Sequence, residues 1–403
     1  MSGTFARLGL LASLYFRQGL PFGFFTQSLP VFLRAEGASL ETIGLSSLLT
    51  LPWALKFLWA PLVDRFSLPG LGRRKSWILP LQLTAVVVLA GLAFFDAESS
   101  MSRLMAAVFV LNLIAATQDI ATDGWAVEML RPEERGWANG LQVAAYRVGM
   151  IAGGGVLLIF LDLLKLDGAL LAMAAMTAVA SVPVALAREP AARPGRAHPS
   201  VWSAWSGLFR RPAAVRLMGL LLVYKAGEYF ASTMLRPLLV DLGSSVGELG
   251  YLLGTAGFTA GLLGALVGGA LVAPLGRTRA LVWFGALQAL SVAGYLWLST
   301  SLGGPQPSWT FIYGVCAFEH LASGMATAAL FTCMMDVCAP EHAGSEYTLQ
   351  ASLVVISSGV AATLSGFGAS ALGYPGHFAL ATALCVGAAL AAVSLGPKSN
   401  PAG

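Results

Sequence analysis

Several ionisable side chains lie inside long apolar stretches of this sequence. Glu319 and His320 are neighbours in one stretch, and Lys225 and Glu228 stand three residues apart in another. A carboxyl group held away from water can take up and release a proton near neutral pH. Glu319 is therefore the first candidate for a proton-exchanging group, and a plain hydrogen bond to a neighbouring helix is the alternative.

The spacing of these residues predicts how they meet. Residues three apart share one face of a helix, so Lys225 and Glu228 are expected to form a pair. Such a pair can either neutralise itself locally or change its proton occupancy as the protein works. Adjacent residues point about 100° apart, so Glu319 and His320 are expected to face different partners.

Two aspartates occupy another apolar stretch. Asp119 and Asp123 are four residues apart, and they would repel each other unless cations lie close by. Lys56 and Arg147, in the flanking stretches, are the available cations. A structural charge network and a gating network both fit this pattern.

Basic and polar side chains near the middle of the apolar stretches suggest the charge of the molecule that the protein binds. Arg17, Arg147 and Lys225 lie near the middle of their stretches, as do Gln18 and Asn112. Three cations in the middle of apolar stretches favour an anionic ligand, provided that the acids do not neutralise all of them.

Charged residues also mark the ends of the stretches. Asp64-Arg65 and Gly72-Arg73-Arg74-Lys75 follow the second stretch. They fit the ordinary excess of positive charge on the cytoplasmic side of a membrane. They also fit a charge latch that closes one side of the protein. The candidate gating residues are Lys56, Asp64, Arg65, Arg73 and Arg74.

The composition requires a membrane. Of the 403 residues, 57% are hydrophobic and only 11% are charged, against about 25% charged in soluble proteins. This excludes a cytosolic enzyme, a secreted disulfide scaffold and a disordered chain. A spanning helix takes about 20 residues. The sequence predicts an all-α integral membrane protein with twelve spans, at roughly 8–33, 41–62, 77–95, 103–128, 138–160, 168–187, 214–240, 248–272, 280–299, 309–337, 346–370 and 374–395.

An internal repeat divides the chain into two halves. Pro132-Glu-Glu-Arg-Gly136 matches Pro340-Glu-His-Ala-Gly344, and Glu128 matches Asp336 at the same offset. We predict an N-terminal six-helix half at 1–187, a cytoplasmic linker at 188–212 and a C-terminal six-helix half at 213–403. Two parallel six-helix repeats are the layout of the major facilitator fold.

The distribution of charge orients the chain. Most Lys and Arg residues fall in alternate loops and in the tails, so both termini are expected to be cytoplasmic. The sequence has no hydrolase, nucleotide-binding or metal-binding motif, so no enzyme activity, metal or cofactor is predicted. We expect a monomer that contacts lipid, a small-molecule substrate and protons, and no nucleic acid.

Two segments resemble a known family. Gln118-Asp-Ile-Ala-Thr-Asp-Gly-Trp125 and Leu55-Lys-Phe-Leu-Trp-Ala-Pro-Leu-Val-Asp-Arg65 are similar to motifs of the muropeptide permease and acetyl-CoA transporter group. Tyr224-Lys-Ala-Gly-Glu228 and Phe318-Glu319 also match. The resemblance implies a proton-driven importer of bulky, often anionic cargo in the bacterial inner membrane. It also raises the expectation of a role for Asp119, Asp123, Lys225 and Glu319.

The resemblance leaves two candidate cargoes. The length of the chain is similar to that of single-subunit siderophore permeases, so a ferric siderophore is the first expectation. Import of muropeptides for cell-wall recycling is the alternative. A membrane-embedded enzyme and a passive channel are disfavoured, because no catalytic constellation is visible and both halves carry acids and bases.

Overall fold

The protein is described by a computed structural model. It describes residues 4–25, 29, 49, 51–68, 70–94, 101–157, 161–189, 201–244, 248, 250–302, 304 and 307–396. Most of residues 26–48, which include parts of the first two predicted spans, lie outside this set. Residues 190–200 of the predicted linker also lie outside it.

The first part of the chain is helical wherever it is described. Helix α1 is Thr4–Gly23, α2 is Leu51–Leu55, α3 is Ala60–Arg65, α4 is Lys75–Phe94 and α5 is Met101–Met129. Helix α6 is Arg135–Met150, and a π-helical segment, Ile151–Val156, continues it. Helices α7 and α8 are Leu161–Leu186 and Val201–Phe209.

The second part repeats the pattern. Helix α9 is Pro212–Tyr224 and α10 is Ala226–Asp241. A π-helical segment, Gly250–Gly257, leads into α11 at Phe258–Leu275. Helix α12 is Arg277–Ser299, α13 is Trp309–Asp336 and α14 is Ala343–Leu395. Gly373 has φ 66°, which turns the chain inside α14 and separates two spans there.

The helix bounds follow the predicted spans closely. The spans predicted at 77–95, 103–128, 280–299 and 309–337 correspond to α4, α5, α12 and α13. Seven helical stretches of the described residues are long and apolar enough to cross a membrane. The span predicted at 214–240 is broken at Lys225, and the described end of the span predicted at 41–62 is broken at Lys56–Leu58. These breaks are not visible in the hydrophobic pattern.

The chain divides into two compact units. Unit 1 comprises Met1–Leu130, Ala145–Gly207 and Cys338–Ser352, and unit 2 comprises Arg131–Ala144, Leu208–Val337 and Leu353–Gly403. Each unit therefore contains one short segment from the other half of the sequence. These two segments are the ones in which the Pro-Glu repeat was found.

Close backbone contact positions α1 within unit 1. Ideal Cβ atoms at Gly19 and Gly23 would collide with backbone atoms of Tyr146 and Met150. Ideal Cβ atoms at Gly149 and Gly153 would in turn collide with the backbone of α1. Small residues on both sides allow two membrane helices to approach this closely. The glycine face fixes the rotation of α1 and so the direction in which its polar residues point.

Candidate functional site

A buried ion pair joins two helical segments of unit 1. Lys56 lies where α2 gives way to a short 3₁₀ segment, Lys56–Leu58, and its ammonium pairs with the carboxylate of Asp119 on α5. Lys56 is 4% exposed and Asp119 is 6% exposed. The Lys56 Nζ atom also lies 5.6 Å from the centre of the Trp53 ring. The predicted pairing of Lys56 with the acids of α5 is therefore present.

Asp123 lies one turn beyond Asp119 on α5 and has a different partner. The hydroxyl of Tyr15 donates a hydrogen bond of 2.8 Å to its carboxylate. Both side chains are buried. Tyr15 thus ties α1 to the acidic stripe of α5, a contact that the sequence did not suggest.

Unit 2 contains a second buried pair, at a break in a spanning helix. Lys225 separates α9 from α10, and its ammonium pairs with the carboxylate of Glu228. Lys225 also donates to Gln288 Oε1 at 3.0 Å and to Ser323 Oγ at 3.2 Å. Ser323 then donates to Glu228 Oε1 at 2.9 Å. The pair is thus held in a closed polar network.

The helix break itself is stabilised by a side chain of the same network. Gln288 Nε2 donates to the backbone carbonyl of Tyr224, immediately before the break. An unpaired backbone carbonyl is costly in hydrocarbon, so broken spanning helices need such partners. Gln288 therefore supports both Lys225 and the backbone geometry around it.

Glu319 is buried on α13, close to two other polar groups. The hydroxyl of Tyr295 donates to Glu319 Oε2 at 3.1 Å. His320 Nδ1 lies 2.9 Å from the same oxygen and 2.9 Å from the carbonyl of Cys316. The imidazole therefore folds back along the helix to the carboxylate of its neighbour, a contact that the angle between adjacent residues did not suggest.

The other predicted pathway residues are distributed through unit 1. Arg17 is 2% exposed and Gln18 is fully buried on α1, while Arg147 on α6 is half-buried. Asn112 accepts a hydrogen bond of 3.0 Å from the Trp53 indole.

A charged cluster lies at the α3–α4 end of unit 1. Arg74 is fully buried, and its guanidinium contacts Asp64 Oδ1 at 2.6 Å and Glu128 Oε1 at 2.5 Å. Arg73 Nη2 lies 3.1 Å from Glu128 Oε1 and 3.3 Å from Asp64 Oδ1. Of the predicted gating residues, Asp64, Arg73 and Arg74 therefore meet. Lys56 lies with Asp119 instead, and Arg65 is exposed beside the Phe66 ring.

The same cluster binds a segment from the second half of the sequence. The backbone N–H and the hydroxyl of Ser345 both donate to Asp64 Oδ2. Arg73 donates to the carbonyl of Glu341 at 2.9 Å. An ideal Cβ at Gly344 would lie 2.9 Å from Asp64 Oδ1 and 3.0 Å from Arg74 Nη1. Glycine at this position leaves room for the ion pair.

These contacts set the protonation of the cluster. Burial alone would raise the pKa of Asp64, but Arg74, Arg73 and the Ser345 hydrogen bonds outweigh burial and lower it below 3.8. Glu189 behaves in the opposite way. Its carboxylate accepts hydrogen bonds from the backbone N–H groups of Arg74 and Lys75, yet burial raises its pKa above 4.5.

Unit 2 has a corresponding cluster, in which one carboxylate pairs with two guanidinium groups. Asp336 pairs with Arg135 at 2.7 Å and with Arg277 at 2.8 Å. Arg277 also donates to the carbonyl of Pro132 at 2.6 Å. Asp336 is the repeat mate of Glu128, so both members of this sequence match lie in charged clusters.

The sequence did not single out some residues of these networks. Gln288 could have been found, because it is the only amide side chain in α12. Tyr15, Tyr295, Ser323 and Ser345 have side chains that are common in membrane helices and carry no distinguishing signal. The role of each predicted site residue stays a prediction, although the structure gives its contacts.

Comparison with known proteins identifies the family. A family model described as acetyl-coenzyme A transporter 1 matches residues 7–168, and one described as major facilitator superfamily matches residues 228–403. The anhydromuropeptide permease of Escherichia coli strain K12 is 31% identical over 386 residues, covering 94% of this chain and 78% of that protein. The chain belongs to the major facilitator superfamily. Within it, the chain is a member of the group that contains these permeases.

Another relative and a solved structure are also similar to this chain. A putative AmpG transporter of Rickettsia felis is 24% identical, with 95% of this chain and 94% of that protein covered. The outward-conformation crystal structure of the transporter FucP aligns with a TM-score of 0.71 at 15% identity, covering 97% and 99% of the two chains. The protein is an all-α membrane transporter of the major facilitator fold and not an enzyme.

The relatives do not support the first expectation about cargo. The named curated proteins above are an anhydromuropeptide permease and a putative AmpG transporter. A similarity to a bacterial homologue of an iron transporter, with a TM-score of 0.72 and 14% identity, concerns the fold alone. The siderophore expectation rested on chain length, which does not report the chemistry of a solute.

Proposed function

We propose that this protein imports anhydromuropeptides across the bacterial inner membrane, with protons as the coupling ion. The observation that carries the proposal is the 31% identity to an anhydromuropeptide permease across 94% of the chain. An anhydromuropeptide is a sugar that bears a short acidic peptide. This cargo also fits the expectation of an anionic solute.

The buried networks support proton coupling. Glu228 is buried with hydroxyl and ammonium partners, and Glu319 is buried with hydroxyl and imidazole partners. A buried carboxylate with such partners can take up and release a proton when its contacts change. In this proposal both termini are cytoplasmic and the protein works as a monomer.

Uptake of a labelled cargo tests the function. Radiolabelled anhydromuropeptide and a panel of iron-55 siderophores would be offered to host cells that lack their own permeases for both. Uptake of the muropeptide that needs this chain and collapses with a protonophore is expected. Uptake of a ferric siderophore alone, by cells shown to contain the folded protein, would replace the proposal with the siderophore reading.

A single substitution tests the coupling role of Glu319. In Glu319→Gln, uptake driven by the proton gradient is expected to fall at least tenfold, while exchange of labelled for unlabelled cargo without a gradient persists. Glu133→Gln, on an exposed residue, is the matched control with the same change of charge. Unchanged pH dependence of uptake in Glu319→Gln would remove Glu319 from the coupling role.

The cluster around Asp64 is proposed to act as the gate. Ser345 and Glu341 come from the second half of the sequence, and both are held by residues of the first half. A polar contact of this kind can be made and released as a transporter changes conformation. Asp64, Arg73 and Arg74 are the gating residues in this proposal, and Lys56 belongs to the buried network.

A further inference from the structure

Arg17 differs from the other buried cations of the residues that the structure describes. It is 2% exposed, and two of its nitrogen atoms, Nε and Nη1, are buried without a hydrogen-bond partner. Among the described residues, no carboxylate forms an ion pair with its guanidinium. Lys56, Lys225 and Arg74 are each paired with an acid.

An unpaired guanidinium needs a compensating group. Arginine stays charged in proteins, so it cannot escape the cost of burial by losing its proton. A charge buried without a partner destabilises a protein strongly, and inside a membrane such a residue is a functional candidate. The sequence predicted several cations inside apolar stretches, any of which the acids could neutralise. In the structure, Arg17 is a buried cation that no acid of the described residues neutralises.

The packing of α1 keeps Arg17 in this position. Gly19 and Gly23 hold one face of the helix against Tyr146 and Met150. Before Gly19 in the sequence, Tyr15 donates a hydrogen bond to Asp123. With these contacts made, α1 cannot rotate to bring Arg17 to the acids of α5.

A second unpartnered side chain adjoins Arg17. Gln18 is fully buried, and neither its amide nitrogen nor its oxygen has a hydrogen-bond partner. Adjacent helical residues point about 100° apart, so Arg17 and Gln18 can reach two different groups of one molecule. A guanidinium matches a carboxylate with two parallel hydrogen bonds, and an amide matches a peptide or acetamido group.

We propose that Arg17 binds a carboxylate of the transported solute and that Gln18 contacts an amide group next to it. This inference rests on the proposed function, because it assigns a binding role within that transport activity. It names the chemical class of the cargo as a carboxylate-bearing amide, and it places the anion site on α1 of unit 1.

Transport of modified cargo tests the contact. Uptake would be measured with anhydromuropeptides in which one peptide carboxyl at a time is converted to an amide. The wild type is expected to lose at least tenfold in kcat/KM, mostly through KM, for one of these amides. Arg17→Gln is expected to take up the acid and that amide equally well. Arg17→Lys keeps the charge but not the two parallel bonds, and intermediate discrimination is expected.

The control is Arg103→Gln, which removes the same charge from an exposed position on α5. It should discriminate as the wild type does. Equal uptake of every amide by the wild type, or full discrimination in Arg17→Gln, would overturn the proposal.

Thermal melting in detergent tests the site without any cargo. Arg17→Met removes an unpaired buried charge, so its melting temperature is expected to rise by about 2 °C or more. Lys56→Met breaks an existing pair and leaves Asp119 unpaired, so its melting temperature should fall. A melting temperature of Arg17→Met at or below that of the wild type would overturn the anion site.

The two experiments separate the two proposals. If the wild type takes up no anhydromuropeptide but Arg17→Met melts higher, the proposed function fails and the anion site stands for another carboxylate. If the muropeptide is transported but Arg17→Met gains no stability, the proposed function stands and the assignment of Arg17 fails.

Discussion

The charged clusters at the ends of units 1 and 2 are built from matching parts with opposite stoichiometry. In unit 1 the fully buried Arg74 holds two carboxylates, Asp64 and Glu128. In unit 2 Asp336 holds two guanidiniums, Arg135 and Arg277, and its side chain is 21% exposed. Both units therefore contain a charged cluster, but its central residue is a cation in unit 1 and an anion in unit 2.

This difference in burial has energetic consequences. Water screens the ion pairs of Asp336 in part, whereas no water reaches the guanidinium of Arg74. The unit 1 cluster also holds Ser345 and caps the N-terminus of α4 through Glu189. We therefore expect the unit 1 cluster to tolerate change less well.

The largest expected effect comes from removing the central arginine of unit 1. Arg74→Met leaves the partly exposed Arg73 as the one cation of the cluster beside Asp64 and Glu128, and a loss of about 3 to 5 kcal/mol in the free energy of unfolding is expected. Arg277→Met is the matched change in unit 2, where Arg135 still holds Asp336, and about 1 kcal/mol is expected. Denaturant unfolding in detergent measures both, and equal losses would refute the difference.

The buried lysine pairs give the next largest effect. Lys225→Ala leaves Glu228 unpaired in a nonpolar environment, so it should destabilise the protein more than Lys225→Ala combined with Glu228→Ala. The same order is expected for Lys56 and Asp119. A coupling energy of about 1 kcal/mol or more should emerge from a double-mutant cycle of melting data. Simple additivity in either cycle would mean that the pair contributes nothing.

Glycine substitutions compare the two segments that each unit takes from the other half of the sequence. An ideal Cβ at Gly136 lies 2.5 Å from the carbonyl oxygen of Gly269, a backbone atom with little freedom to move. At Gly344 the nearest atom belongs to the Asp64 side chain, at 2.9 Å. Gly136→Ala should cost about 2 kcal/mol and Gly344→Ala about 1 kcal/mol. The reverse order of melting temperatures would show that the ion-pair cluster is the more rigid neighbour.

The smallest expected effect depends on pH. The pKa of Glu189 is raised in the folded protein, so its contribution to stability is present below about pH 4.5 and is lost as the pH rises through the folded value. Glu189→Gln should therefore melt about 1 °C higher than the wild type at pH 7 and no higher at pH 4. A constant difference at all pH values would exclude this linkage.

Asp64 supplies the control of opposite sign. Its folded pKa is lowered, so its contribution is present above about pH 3.8 and is lost as the pH falls through the folded value. Asp64→Asn should therefore melt lower than the wild type at pH 7, and this difference should narrow as the pH is lowered below 3.8.

The sequence alone determined the class of protein, the family and the approximate limits of the spans. Hydrophobic length reports directly on membrane crossing, because the thickness of the hydrocarbon fixes the length of a helix. Local features can be recognised in the sequence itself. Examples are the repeat around Gly136 and Gly344 and the spacing of Lys225 and Glu228. Arg17, Lys56, Asp119 and Glu319 were singled out because a charge inside an apolar stretch is costly.

Only the tertiary structure decided which of those charges are neutralised. Lys56 meets Asp119 because two distant segments pack together, and Lys225 lies at a helix break that hydrophobicity does not record. Arg17 is left unpaired because close glycine contacts fix the rotation of α1. The sequence fixes which side chains are costly to bury, but the packing of helices determines which of them find a partner within the protein.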